Sequence, residues 1–165
     1  MVASAAKHRA VVTLPSDTQV QIQRDFDAPK RLVYKAWTTP ELIKRWWSAK
    51  RGTVTTADVD LRVGGTWRWV MMTDRGFEVA FHGEYREIVP NERLVYTEVF
   101  EGIPNGDEAA ALTTMTFAEK NGRTTLTILV DHKLKAHRDM HINSGMEAGL
   151  QDALDLLEQA VSTLA

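Results

Sequence analysis

The side chains that could do chemistry are few, and they lie in the second half of the chain. In the run Leu94 to Phe100, strand alternation puts Leu94, Tyr96, Glu98 and Phe100 on one face. If that face is inward, Glu98 is a carboxyl in apolar surroundings, with a raised pKa and the capacity to act as acid or base. The competing register puts Val95, Thr97 and Val99 inside and Glu98 in water, and that is the favoured reading. His132 ends the face carrying Leu126, Ile128 and Val130, at the rim or floor of whatever that face encloses. A histidine there could hydrogen-bond a ligand or shuttle a proton, although one satisfied by backbone is the plainer expectation. His137 and His141 stand four apart, a spacing that can hold a metal, with Asp139 between them. No third ligand is evident and the zinc-protease pattern is absent, so a solvated helix face is favoured and no metal is expected. No serine elbow, phosphate-cradling glycine loop or dinucleotide fingerprint is present, and no cofactor is implied. No catalytic constellation emerges, and an enzyme would have to draw on Glu98, His132, Tyr85 and Tyr96.

The aromatic residues argue for a pocket. Alternation places Trp67, Trp69 and Met71 on one face of a strand and Phe81, Gly83 and Tyr85 on one face of the next. Small-molecule pockets are lined this way, by large apolar groups and a few fixed polar ones, and methionines make such a surface adaptable. The expected lining is Trp37, Trp67, Trp69, Met71, Phe81, Tyr85, Tyr96, His132, Met146 and Gly149. The alternative for each ring is plain core filling. Gly149 likewise allows two readings, close packing against a sheet, which is favoured, or space left for a ligand.

These residues need elements to hold them. From about Ala136 to Ala165, Ile142, Met146, Gly149, Leu150, Ala153, Leu157, Ala160, Val161 and Leu164 recur at helical steps. This predicts one long amphipathic helix. Ser144 and Glu147 have capping-box spacing that would start it later, but Met140 and Ile142 continue the apolar face and favour the earlier start. Before it the chain reads as strands: Thr18–Phe26, Thr53–Asp60, Thr66–Thr73, Phe77–Ile88, Leu94–Phe100, Leu112–Ala118 and Thr124–His132. Asn121-Gly122 is a strong hairpin signal. Two short helices follow the first long strand, from about Pro29 to Thr38 with Asp27 as cap, and from Pro40 to Trp47 with Thr39 as cap. A lone amphipathic helix must bury its face against the sheet. The expected fold is α+β, a curved antiparallel sheet of six to seven strands around a long C-terminal helix.

Composition narrows the function classes. The chain has 165 residues, a net charge of −2 and no cysteine. That size suits a flexible tail over residues 1–9 and a single domain over 10–165. The near-neutral balance makes nucleic acid a poor partner, and disulfides and thiolate chemistry are excluded. No signal peptide or membrane-length apolar run is legible, so the expectation is a cytoplasmic protein with no membrane partner.

The words Phe26-Asp27-Ala28-Pro29, Ala36-Trp37-Thr38 with Pro40-Glu41-Leu42, and Arg45-Trp46-Trp47 occur in that order. Asp60-Leu61-Arg62-Val63-Gly64-Gly65, Gly83-Glu84-Tyr85 with Glu87-Ile88, Glu92-Arg93-Leu94-Val95 and Gly145-Met146 with Gly149 complete the set. Together they resemble the START-like SRPBCC superfamily, in its branch of heat-shock protein 90 ATPase activator homologues, over roughly residues 14–164. The resemblance implies a helix-grip fold with a deep, mostly apolar pocket between sheet and helix. It leaves three functions open, ranked as follows: a binder of a small hydrophobic or aromatic molecule, a co-chaperone-like interaction module with a chaperone partner, and a polyketide cyclase or aromatase-like enzyme. The activators proper join this domain to a separate N-terminal one, for which the chain has no room. Related single-domain proteins often pair, which adds a homodimer to the expectations.

Overall fold

The computed structural model describes residues 8–164. Two strands open the chain, β1 (Val11–Thr13) and β2 (Gln19–Phe26), followed by helices α1 (Lys30–Thr38) and α2 (Pro40–Trp46). Six strands follow: β3 (Gly52–Val59), β4 (Thr66–Thr73), β5 (Glu78–Val89), β6 (Arg93–Phe100), β7 (Ala111–Lys120) and β8 (Arg123–Asp131). The chain closes with α3 (Lys135–Ile142) and α4 (Met146–Ser162). The strands form one antiparallel sheet in the order β1-β2-β8-β7-β6-β5-β4-β3. Its eight strands exceed the expected six to seven because the short run at Val11–Thr13 pairs with β2 as an edge. The α+β helix-grip architecture is as expected. The early residues Met1 to Lys7 of the anticipated tail lie outside the described residues. His8 reaches Asp27 at 3.1 Å.

Local chemistry explains most of these elements. Asn121 and Gly122 both adopt left-handed backbone (φ 54° and 78°), the turn that matches strand twist between β7 and β8. Thr39 does precede α2, with Pro40 in its first turn. Asp27 does not cap α1. The helix starts after Pro29, and the Asp27 carboxylate meets His8 and, at 3.2 Å, Arg123.

The C-terminal helix departs from expectation. It is broken at Asn143 to Gly145 into α3 and α4. Gly145 takes φ 82°, a backbone that other residues rarely adopt, so it turns the chain where a continuous helix cannot. The capping box does not form, because Ser144 donates its hydroxyl to the His141 carbonyl at 2.6 Å. Met140 is exposed, so the apolar pattern that argued for continuity is not one buried stripe. Within α4 the buried residues are Ala153, Leu154, Leu157, Ala160 and Val161, while Met146, Gly149 and Leu150 of the predicted face are half-buried.

The sheet is fastened to α4 by a buried cation. Arg24, 3% exposed on β2, donates to Glu158 at 2.7 Å and meets Asp155 at 3.1 Å. Gln151 adds two bonds to the backbone of Ala10, at 3.0 and 2.8 Å. Among the described residues no helix is long and apolar enough to cross a membrane.

Candidate functional site

Between the concave face of the sheet and the α3–α4 segment lies a cavity of about 580 Å³. All ten residues expected to line a pocket do line it: Trp37, Trp67, Trp69, Met71, Phe81, Tyr85, Tyr96, His132, Met146 and Gly149. Sequence reasoning missed Trp46, Trp47, Met115, Arg51 and Leu154, which also face it. Trp46 and Trp47 could have been found as neighbours of the Arg45 word. Met115 and Leu154 carry no signal separating cavity wall from ordinary core.

All five tryptophans of the chain border this space. Trp69 is their hub, with ring centroids 6.2, 5.9, 5.6 and 5.3 Å from Trp37, Trp46, Trp47 and Trp67. Tilted and edge contacts of this kind add to the stabilisation that burial of the rings provides. Trp46 donates its indole N–H to the Ala36 carbonyl at 2.9 Å, whereas those of Trp37, Trp67 and Trp69 are sealed without an acceptor.

Gly149 faces open space. A Cβ built there would meet no atom within 4 Å. Close packing, the favoured reading of this glycine, is therefore corrected, since the missing side chain leaves volume in the cavity. Gly83 is the opposite case. A Cβ there would stand 1.7 Å from the Thr97 carbonyl oxygen on β6 and 2.7 Å from Trp67 Nε1, so this glycine admits both the neighbouring backbone and the indole.

Glu98 also overturns its favoured placement in water. It lines the cavity, and its Oε1 accepts a 3.0 Å bond from the hydroxyl of Thr113, a residue 1% exposed. Val95 and Val99 of the competing register are buried as well, while Thr97 between them is half-buried. Burial pushes the Glu98 carboxyl above its ordinary pKa, against the lowering effect of the Thr113 bond. Burial raises the Tyr85 and Tyr96 phenols too, and Tyr96 donates to the Met115 sulfur at 3.4 Å.

The histidines form a second polar point. His137 and His141 border the cavity, which corrects the solvated-face reading. His132 Nε2 and His141 Nδ1 are 3.0 Å apart, so the two imidazoles share one proton. His132 is thus held by another side chain and not, as favoured, by backbone. Its Nδ1 is sealed without a partner. An N–H there would have nowhere to donate, the costlier kind of orphan. We therefore assign the proton to His132 Nε2, donating to His141 Nδ1. That leaves the N–H of His141 on Nε2, an atom with no hydrogen-bond partner among the described residues and not among the sealed ones, on a residue that borders the cavity. Burial, then the neighbouring His141 and His137, lower His132 to about 4, and burial lowers His141 as well. Both rings are neutral at physiological pH.

The three cavity histidines do not gather as a metal trio. Among the described residues, the grouping with ligand atoms within 4.8 Å of one another is His8, Asp27 and Glu158, away from the cavity lining. Its carboxylates already take Arg24 and Arg123.

The comparisons with known proteins agree with this fold. The family model described as "Activator of Hsp90 ATPase homolog 1-like protein" matches residues 27–162. Among solved structures, a protein from Rhodobacter sphaeroides is similar with a TM-score of 0.86 and 22% identity, covering 94% of this chain and 99% of that one. One from Nitrosomonas europaea follows at 0.80 and 22%, covering 92% and 98%. An AHSA1-like protein from Aeromonas hydrophila has a TM-score of 0.66 and 24% identity, covering 87% and 93%. No curated protein matches the chain. With its helix-grip architecture and a family match over most of its length, the chain belongs to the family of activator of Hsp90 ATPase homolog 1-like proteins.

Proposed function

We propose that this protein binds a small hydrophobic or aromatic molecule between the sheet and the C-terminal helix. The observation that carries this reading is the cavity of about 580 Å³, walled by tryptophans and by Met71, Phe81 and Met146. That volume falls in the range of small-molecule sites, about 300–1,000 Å³. Gly149 supports the reading, because a side chain at that position would take up cavity space and none is there. A closed core would have filled this space with side chains, since cores pack to crystal-like density.

Native mass spectrometry of the purified protein, followed by a thermal-shift screen of aromatic and fatty compounds, tests the proposal. The expected result is a bound mass, or a compound that raises Tm with its concentration by mass action. A clean mass with no hit across the panel would overturn it and move attention to a protein partner.

A further inference from the structure

The strand register places the polar groups of the cavity in one line. Trp67 on β4 faces Gly83 on β5, and the β5–β6 register continues to Glu98. Glu98 faces Ala111 on β7. The pairing of Leu112 with Asp131 then sets Ala111 against His132, whose N–H continues the ladder by donating to the Thr18 carbonyl at 2.8 Å. One transverse row thus reads Trp67, Gly83, Glu98, Ala111, His132. Adjacent strands lie about 4.8 Å apart, so Glu98 and His132 stand roughly 10 Å apart at their Cα atoms. The two residues between large neighbours are glycine and alanine. The row is therefore a slot with the indole of Trp67 laid over Gly83, a carboxyl in the middle and an imidazole pair at the far end.

Each polar point has one valence spent and one free. Glu98 Oε1 is held by Thr113, while Oε2 has no hydrogen-bond partner among the described residues and is not among the sealed atoms. His141 Nδ1 is held by His132, while its Nε2–H is open. The slot thus offers an acceptor and a donor to an occupant, separated by the methyl group of Ala111. An occupant that is hydrocarbon throughout would strip water from both groups and give nothing back. A carboxylate-headed occupant meets a carboxyl and two neutral rings. The cation that borders the cavity, Arg51, is already bonded to Asp152 at 2.8 Å.

Resting on the binding reading above, we infer that the ligand is a neutral aromatic molecule carrying two oxygens at opposite ends of its ring system. A hydroxyl donates to Glu98 and a carbonyl accepts from His141. The ring lies over Ala111, between Glu98 and the histidines, and the Trp67 indole stands beyond Glu98.

Calorimetric titration with four related probes tests this. They are naphthalene, acetylnaphthalene, a naphthol, and a hydroxynaphthyl methyl ketone whose oxygens lie at opposite ends of the ring pair. The hydroxy ketone should bind at least about tenfold tighter than naphthalene, with each single-oxygen probe between them. In Glu98→Leu the advantage of the hydroxyl should vanish, because neither acceptor nor donor is left where the carboxyl stood. In His141→Phe the advantage of the carbonyl should vanish. Equal affinities across the probes, or an advantage that survives both substitutions, would overturn the inference and leave the apolar pocket standing. Binding of none of the four would overturn the pocket as well. The four-probe series on the unaltered protein decides the matter even if a variant fails to fold.

Discussion

His132 and Glu98 illustrate how one cavity moves two ordinary groups in opposite directions along the pH axis. The folded-state pKa of His132 is about 4 against 6.5 in an open chain, so between those values the unfolded state binds a proton that the folded state refuses. The stability this contributes is fully present above about pH 6.5 and is lost as pH falls towards 4. Glu98, raised by burial, works the other way. Its contribution is present below the ordinary carboxylate pKa and is lost as pH rises through its folded value. The predicted consequence is a fall in Tm between about pH 7 and pH 5 that His132→Phe flattens, measured by circular dichroism melts. An unchanged slope in that variant would mean that the histidine pair does not titrate with folding.

At the scale of elements, α4 carries both packing and space. Ala153, Leu154 and Leu157 seal its middle, while Gly149, one turn earlier, leaves a gap. Glycine inside a helix costs about 1 kcal/mol relative to alanine, so Gly149→Leu should leave Tm unchanged or higher. It should also lower the affinity of any cavity ligand at least tenfold, as read by titration. A drop in stability of about 1–3 kcal/mol would instead be the mark of overpacking and would show that the gap is not usable volume. The kink at Gly145 acts with this gap. By ending α3 it lets His141 turn back to His132 on the sheet, a contact that a straight helix would have to make from a different approach.

For the whole molecule, closure of the sheet on its helix runs through Arg24. The guanidinium bridges two carboxylates of α4 from a side chain that is itself 2% exposed. Arg24→Met keeps the volume but leaves Asp155 without its partner and removes the charged bond to Glu158. Breaking such a buried pair should cost about 3 kcal/mol, somewhat softened by the partial exposure of the two acids. Urea denaturation measures this as a lower midpoint with an unchanged slope. Arg24→Lys should recover less than half of the loss, because one ammonium cannot fork between two acids. A neutral result in Arg24→Met would mean that apolar packing alone closes the sheet.

The sequence by itself determined the strands, the two short helices and the aromatic set, because each rests on local periodicity. Alternation needs only neighbours along the chain to put Trp67 beside Trp69, and Asn121-Gly122 makes its turn from its own backbone preferences. Arg24 was not legible as buried, since its partners lie more than a hundred residues away on α4. Glu98 was misplaced for a related reason. Alternation says which residues share a face but not which face is inward, and on β6 both faces carry buried residues. Only the tertiary structure decided that the sheet curves far enough to enclose volume, that Gly149 opens onto it, and that Glu98 falls on one row with His132, which His141 of α3 meets. Those facts depend on strand register and on the kink at Gly145, which sum over many weak long-range contacts that no window of sequence contains.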